Sequence, residues 1–410
     1  MITVSELENG IRVVTEALPG SRSLAVGIMI RTGPRDQGPD QEGLAHLVEH
    51  ALFQGTSSRS SLDIARMIDT MGGRVNAFTG RDYTCFSGLV MDDHRTYVFD
   101  LLSDILLNSI FPEDKLMKEK QVIISEQEMA ADLPVEQALA GLKSTIWQNH
   151  PLGSKIEGSA ESISRLTRED VIYFLHSNYL PDRVIVACAG NLEHEDIVAQ
   201  VRDCFWRMTG SSVPLTYGSA HFNSGFVRHH HGGNHAYFAV GIEAPAYAWP
   251  ERYCIHLLNT ALGGGMSSRL YRTLREERGV VYDIHSEYHA YMDGGALVIC
   301  GSCRPDRVFS VVDEIIEISG SLVTAAQPMA EEELWQAKLY TVGQYHIDSE
   351  DPYTRMSRLL TQLFYFSRVV GVEEIIAGLE GATTAAISRV SGDYFQSFSK
   401  KVAACVVGPD

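Results

Sequence analysis

The pentapeptide His46-Leu47-Val48-Glu49-His50 contains three side chains that could act together on one metal ion. On an α-helix, positions i, i+3 and i+4 share a face, so His46, Glu49 and His50 would project in the same direction. Two imidazoles one turn apart have the spacing of zinc ligands, and the carboxylate between them could take a proton from a metal-bound water. A composition with 15 histidines gives about 0.04 chance matches to this pattern. The alternative is a helix with two solvated or capping histidines.

The sequence around the pentapeptide predicts hairpins mixed with blocks of helix. Strands at 2–6 and 11–16 flank Asn9-Gly10, a type I′ turn signal, and an apolar strand is predicted at 23–31. Further helices are predicted at 43–53, 61–71, 97–108, 112–131, 135–149 and 194–205, and further strands at 74–79, 83–90 and 183–189. This pattern indicates an α+β fold rather than a doubly wound one.

Two segments of the first half recur in the second half. AVGI at 25–28 recurs at 239–242, and HLVEHALFQG at 46–55 recurs as HLLNTALGGG at 256–265. Because both segments recur in the same order, we infer an internal duplication. The spacing between the copies is far too long for a solenoid repeat. It predicts two homologous domains, each a mostly antiparallel sheet packed with helices.

The predicted domains differ in their chemistry. A zinc-binding catalytic domain is expected at 1–208, a Gly/Ser/Pro-rich linker at 209–224 and a second domain at 225–410. In the second copy His256 persists, but Asn259 and Thr260 replace the glutamate and the second histidine of the motif. That copy lacks the base and one ligand, so we expect one Zn²⁺ per chain.

Composition excludes several classes of function. The 410 residues carry a formal net charge of -18, which argues against nucleic acid or an anionic membrane surface as a partner. Seven cysteines without regular pairing favour a reducing compartment. No signal peptide and no apolar run of the roughly 18 residues that a membrane helix needs can be recognised. These features predict a cytoplasmic protein.

The HxxEH pattern reverses the HExxH motif and is typical of the inverzincins. The sequence resembles the pitrilysin-type zinc peptidase family, which includes insulin-degrading enzyme, and in particular its short two-domain members, such as the mitochondrial processing peptidase beta subunit and bacterial processing-peptidase-like proteins. The resemblance implies that Glu126 is the third zinc ligand, at the family's distance after His50. It also implies that Glu119, seven positions earlier, orients a metal-binding histidine.

Two further signatures of the family concern the substrate. The resemblance implies that the strand at 74–79 receives the peptide along its free edge, with Asn76, Ala77 and Phe78 in contact. Without the zinc motif beside it, this segment would be one more hairpin of the sheet.

In the second half, Arg275 and Tyr282 match the family's arginine and tyrosine that contact the substrate near the scissile bond. Both side chains can donate a hydrogen bond to a peptide carbonyl. Arg269 is a nearby rival for the arginine's role, and an exposed arginine with a core tyrosine is the alternative.

The predicted function is that of a zinc metalloendopeptidase, with His46, His50 and Glu126 as ligands and Glu49 as general base. The resemblance further implies a dimer whose two chains enclose a chamber for peptide substrates. A homodimer is favoured over a heterodimer with a homologue that lacks the zinc motif, because this chain keeps both the ligands and the Arg/Tyr pair. The alternatives are specialised processing of the leader of one small precursor and a non-catalytic peptide-binding or assembly subunit.

Overall fold

The computed structural model describes residues 1–213, 218–324, 326–395 and 398–409. The chain divides into two compact units, each with one β-sheet at its centre. The first unit consists of Met1–Gln127, Lys155–Tyr217 and Ile347–Val369. The second unit consists of Glu128–Ser154, Gly218–His346 and Val370–Asp410.

The strands supply the two sheets. In chain order they are β1 Ile2–Glu6, β2 Arg12–Ala17, β3 Ser23–Ile30, β4 Arg74–Thr79, β5 Thr84–Met91, β6 Val184–Gly190, β7 Gly225–His230, β8 Ala236–Ala244, β9 Val281–Ala290, β10 Gly295–Cys303 and β11 Val402–Gly408. The first six form one sheet and the last five form the other.

The helices pack on these sheets. In chain order they are α1 Leu44–Leu52, α2 Ser61–Met71, α3 Arg95–Asn108, α4 Glu113–Ala131, α5 Pro134–Ile146, α6 Ala160–Arg165, α7 Arg168–Asn178, α8 His194–Phe205, α9 Arg252–Gly263, α10 Val308–Val323, α11 Glu331–Asp348, α12 Pro352–Phe366, α13 Val372–Glu380 and α14 Thr384–Tyr394. A π-helical segment spans Tyr271–Glu277. Within the described part of the chain, no helix combines the length and the hydrophobicity needed to span a membrane.

The sheet of the first unit has the strand order β1-β2-β6-β3-β5-β4. Its β2 and β6 are parallel, and the other neighbours are antiparallel. Both faces are covered, so β3 is apolar from Leu24 to Ile30: Leu24 and Val26 point into the larger core, whereas Ala25 and Met29 point to the opposite face.

Helix α12 covers that opposite face of the first sheet. Its Met356, Leu360 and Leu363 pack with Ala25 and Met29 in one buried cluster. The helix passes so close to β3 that a Cβ at position 27 would overlap the side chains of Met356 and Leu360. The absence of a side chain at Gly27, in the AVGI segment, therefore allows α12 to pack closely on β3.

The sheet of the second unit repeats this plan. Its order β7-β11-β8-β10-β9 matches β2-β6-β3-β5-β4, with β7 and β11 parallel and the other neighbours antiparallel. Helix α5 covers one face, and its Leu142 would lie 3.2 Å from a Cβ at Gly241, the glycine of the second AVGI copy. The predicted α+β fold with two homologous domains is thus confirmed.

The predicted elements of the first half are confirmed, with bounds that differ by at most three residues. The prediction omits α6 and α7, each of which begins at a capping hydroxyl, from Ser159 and Thr167. Part of the predicted linker, 214–217, lies outside the described residues.

The compact units also differ from the contiguous domains that the sequence predicts. Residues 128–154, which include α5, belong to the second unit, and residues 347–369, which include α12, belong to the first. The physical reason is the burial of an apolar helix face: α5 packs with strands of the second sheet and α12 with strands of the first. Sequence position alone does not determine which sheet such a face covers.

We predict that Gly27→Ala destabilises the protein by about 1–3 kcal/mol, because the new methyl group would overlap α12. The midpoint of urea unfolding measures the loss. Gly343→Ala is the matched control, since Gly343 lies within α11 with open space around its Cα and should gain up to about 1 kcal/mol from helix propensity. An unchanged loss in a Met356→Ala background would contradict the explanation.

Candidate metal centre

Helix α1 presents the three polar residues of the pentapeptide, His46, Glu49 and His50, on one side. The opposite side is packed into the core of the first unit, where Leu44, Leu47 and Val48 are fully buried. The preceding residue, Gly43, has φ +89°, and a Cβ there would lie 2.5 Å from Ile163 and 2.8 Å from the carbonyl oxygen of Glu157. Only glycine fits this close approach, which fixes the position of the start of the helix. The polar side of the helix then faces a groove.

His46, His50 and Glu126 meet in this groove. Their ligand atoms all lie within 4.8 Å of one another, and no other such group occurs among the described residues. His50 Nε2 lies 3.7 Å from Glu126 Oε2, and the two imidazole centroids are 4.6 Å apart. Helix α1 supplies the histidines and α4 supplies the carboxylate. Two imidazoles and one carboxylate are a donor set that suits Zn²⁺ and leaves a position open for water.

One atom of the group supports this fit. His46 Nδ1 is buried and has no hydrogen-bond partner within residues 1–213, 218–324, 326–395 and 398–409. A buried nitrogen without a hydrogen-bond partner destabilises the folded protein unless a group from outside the chain interacts with the ring. Burial, with a smaller contribution from His50, lowers the pKa of His46 to about 4. The ring is therefore neutral at physiological pH, and the neutral ring is the form that binds a metal.

Glu119 lies on the far side of His50. Its Oε2 is 3.1 Å from His50 Nδ1, so the other ring nitrogen faces Glu126. Burial disfavours the charged form of His50, but the hydrogen bond with Glu119 and the charges of Glu126 and Glu49 together raise its pKa. A carboxylate in this position fixes the orientation of the imidazole and makes the ligating nitrogen more basic.

Glu49 lies one turn after His46 and directly before His50, and it is only 8% exposed. Burial raises the pKa of its carboxyl group, although a hydrogen bond from Thr79 and the charge of His50 act in the opposite direction. The Thr79 hydroxyl donates that bond to Glu49 Oε2 at 2.6 Å. A carboxylate with a raised pKa beside a metal group has the property that a general base needs.

The groove is bordered by β4. Asn76, Ala77 and Phe78 line it together with the histidines and with Glu119 and Glu126. Strand β4 pairs with β5 on one side, and no other described strand pairs with its second side. Phe78 is 40% exposed beside this free edge. The structure thus brings the three predicted substrate contacts into the groove that contains the metal group.

Arg275 and Tyr282 belong to the second unit. The Arg275 guanidinium lies 4.8 Å from the Tyr271 ring centroid and 6.0 Å from that of Tyr282. Tyr282 is 77% exposed, so it is not the core tyrosine of the alternative interpretation. Arg269 makes two hydrogen bonds to Glu333, at 2.7 and 2.8 Å.

The second unit has packing contacts where the first has the metal group. The His256 ring lies beside that of Tyr288, with 5.3 Å between the ring centroids. Asn259 Nδ2 donates to the carbonyl oxygen of Ser286 at 3.3 Å, and the Thr260 hydroxyl lies 3.1 Å from that of Thr341 in α11. The second site has therefore become part of a helix–sheet interface.

Thr79 is the site residue that the sequence analysis missed. Its position at the end of β4 follows from the hairpin pattern, but nothing in the spacing says that its hydroxyl reaches Glu49. The only available signal is its place in the strand next to the zinc motif.

Comparison with known proteins defines the class. The family profile "Insulinase (Peptidase family M16)" matches residues 12–160, and "Peptidase M16 inactive domain" matches residues 165–339. A protein of Mycobacterium leprae named an uncharacterized zinc protease is 34% identical over 98% of this chain and 91% of its own length. One of Bacillus subtilis with the same description is 30% identical over 100% of this chain and 98% of its own.

Solved structures agree on the fold. The M16 inactive domain protein from Pseudomonas fluorescens superposes with a TM-score of 0.92, at 18% identity over 100% of this chain and 98% of that one. A protease from Helicobacter pylori gives 0.91 at 18% identity over the whole of both chains.

These matches place the chain in a class of zinc metalloproteases. More narrowly, it belongs to the M16, or insulinase, peptidase family, which confirms the pitrilysin-type resemblance.

We predict that Glu119→Gln lowers zinc affinity about 10- to 100-fold, because a neutral amide is a weaker acceptor for the His50 N–H. Competition with a chelator of known affinity measures the change. Glu128→Gln, an exposed position on the same helix, is the control and should leave the affinity unchanged. Equal affinities in the two variants would contradict the orienting role.

Proposed function

We propose that the protein is a zinc-dependent endopeptidase that cleaves extended peptides or unfolded segments. The observation that carries the proposal is one groove that contains His46, His50 and Glu126, with Glu49 between the histidines and a free strand edge alongside. One Zn²⁺ per chain is proposed, because the second unit has no equivalent group among its described residues.

The residues of the groove divide the chemistry between them. A bound Zn²⁺ supplies Lewis-acid polarisation of the scissile carbonyl and makes a water more acidic. Glu49 accepts the proton of the attacking water and then delivers it to the leaving amine. Its buried carboxylate suits this exchange, because burial raises its pKa toward the working pH.

Substrate binding is assigned to β4. An extended peptide can add to the free edge of this strand through backbone hydrogen bonds, largely regardless of its sequence. Asn76, Ala77 and Phe78 then flank the bound segment, and the half-exposed Phe78 ring offers an apolar contact for one of its side chains.

Arg275 and Tyr282 are proposed to complete the site by donating to a carbonyl of the substrate or to the developing oxyanion. Arg275 is favoured over Arg269, because two hydrogen bonds to Glu333 hold the Arg269 guanidinium. We further propose a homodimer that encloses a chamber, in which this pair serves the zinc group of the partner chain. A cytoplasmic location is also proposed, in keeping with cysteines that are free thiols.

Two narrower or different functions are alternatives. Processing of the leader of one small precursor would use the same groove with a restricted substrate. A non-catalytic peptide-binding subunit would need no base, and the buried Glu49 beside the two histidines argues against it.

We predict that Glu49→Gln lowers kcat for peptide cleavage by at least about 100-fold, because an amide cannot accept the proton of the water. Zinc content, measured by mass spectrometry of the metal, should stay at one per chain, and the circular dichroism spectrum should not change. Glu195→Gln, an exposed position on α8, is the control for loss of one carboxylate. Cleavage by Glu49→Gln at the parental rate would overturn the mechanism.

A second prediction concerns the dimer. When Glu49→Gln and Tyr282→Phe chains are co-expressed with different tags, the mixed dimer should contain one complete site. We expect the purified mixed dimer to have about half the activity of the unmodified dimer, whereas each variant alone is nearly inactive. Assay of the doubly purified mixed dimer measures this. No recovery would mean that Tyr282 serves its own chain, and full activity of the Tyr282→Phe variant alone would mean that it has no catalytic role.

A further inference from the structure

Thr79 connects the strand that borders the groove to the carboxylate between the two histidines. It is the last residue of β4 and is buried, and its hydroxyl donates to Glu49 Oε2 at 2.6 Å. The Thr79 backbone contributes a further hydrogen bond to the same carboxyl group. Together these contacts restrict rotation of the Glu49 carboxylate.

The position of Thr79 is fixed from beyond the end of its strand. The turn that follows is closed by a hydrogen bond from the Gly80 N–H to the Tyr83 carbonyl oxygen at 2.8 Å. Within this turn, Asp82 accepts from Arg35 at 2.8 Å and from the Tyr365 hydroxyl at 2.9 Å. Only 1% of the Arg35 and Asp82 side chains is exposed. The tip of the hairpin is therefore tied to the core and to α12.

A threonine hydroxyl at a strand end often serves only to satisfy a neighbouring polar group. Two features separate Thr79 from that case. Its partner is the carboxylate that the metal group needs as a base, and its strand is the one whose free edge faces the substrate. Pairing of a peptide with β4 would order the strand and, through Thr79, the carboxylate.

We propose that Thr79 is a positioning residue, which holds the Glu49 carboxylate in the orientation for proton transfer and couples that orientation to occupation of the β4 edge. This inference rests on the proposed peptidase function. It assigns no contact between Thr79 and the substrate. Its consequence is that loss of the hydroxyl impairs the chemical step and leaves metal binding and peptide binding in place.

The test compares Thr79→Val, which keeps the shape but loses the donor, with Thr79→Ser, which keeps the donor. We expect Thr79→Val to lower kcat about 10- to 100-fold, as misplacement of a catalytic group does. Its KM should change by less than about twofold, because the peptide's own contacts are untouched. Thr79→Ser should restore most of the loss, and zinc content should remain one per chain in both.

Thr84→Val is the matched control. Thr84 is buried directly opposite Thr79 in the hairpin, but its hydroxyl donates to the Thr32 carbonyl oxygen at 3.0 Å. The Thr84→Val variant should lose about as much stability as Thr79→Val, but it should keep the kcat of the unmodified protein. If Thr79→Val and Thr84→Val have the same kcat, or if Thr79→Ser is as impaired as Thr79→Val, the positioning role is wrong.

Two measurements do not depend on turnover. In the Glu49→Gln background, the dissociation constant of a bound peptide should be the same with and without Thr79→Val. In the zinc-free protein, Thr79→Val and Glu49→Ala should lower the unfolding midpoint by less than additive amounts when combined. The reason is that each substitution removes the same hydrogen bond between Thr79 and Glu49. Additive losses would overturn the proposed contact even if Thr79→Val catalyses poorly.

The outcomes separate this inference from the function on which it rests. Unimpaired cleavage by Glu49→Gln refutes the peptidase mechanism itself. An inactive Glu49→Gln together with a fully active Thr79→Val refutes only the role of Thr79.

Discussion

The groove depends on one packing constraint, the burial of a single face of helix α1. Leu44, Leu47 and Val48 have no exposed surface, so rotation of the helix about its axis would remove these apolar side chains from the core. The 3.6-residue period then leaves His46, Glu49 and His50 on the side that faces α4 and β4. The apolar positions of a nine-residue helix thereby determine the direction of its polar ones.

The two units show what the same scaffold does with different side chains. In the first, the exposed ends of the α1 histidines meet carboxylates from a second helix. In the second, the equivalent helix places His256 beside Tyr288, and Asn259 donates a hydrogen bond to a strand. The order of the five shared strands is retained, so the backbone plan does not require the metal group. The difference in chemistry at this site lies in the side chains that the two helices carry.

Much of the fold and part of the site follow from the sequence. Periodicity predicts most elements of the first half, and helical spacing predicts that His46, Glu49 and His50 converge, because both depend on local geometry. Glu126 and Glu119 lie on a distant helix, and only the family resemblance indicates them. Thr79 escapes prediction because the direction of a hydroxyl depends on tertiary packing. The sequence does not predict which sheet α5 and α12 cover, for a related reason. An apolar stripe indicates that one face of a helix is buried, but it does not indicate against which sheet.

The allocation of these two helices has a consequence for the integrity of the chain. The cover of the first sheet comes from the second half of the sequence, and a cover of the second sheet comes from the first half. A fragment that ends at the linker would keep its own sheet but not the helix that shields it, and would expose a row of aliphatic side chains to water. Such fragments would aggregate alone and could recover their native structure only by exchanging helices with each other. The two halves are alike in fold, but each sheet needs a helix from the other half of the sequence to cover one of its faces.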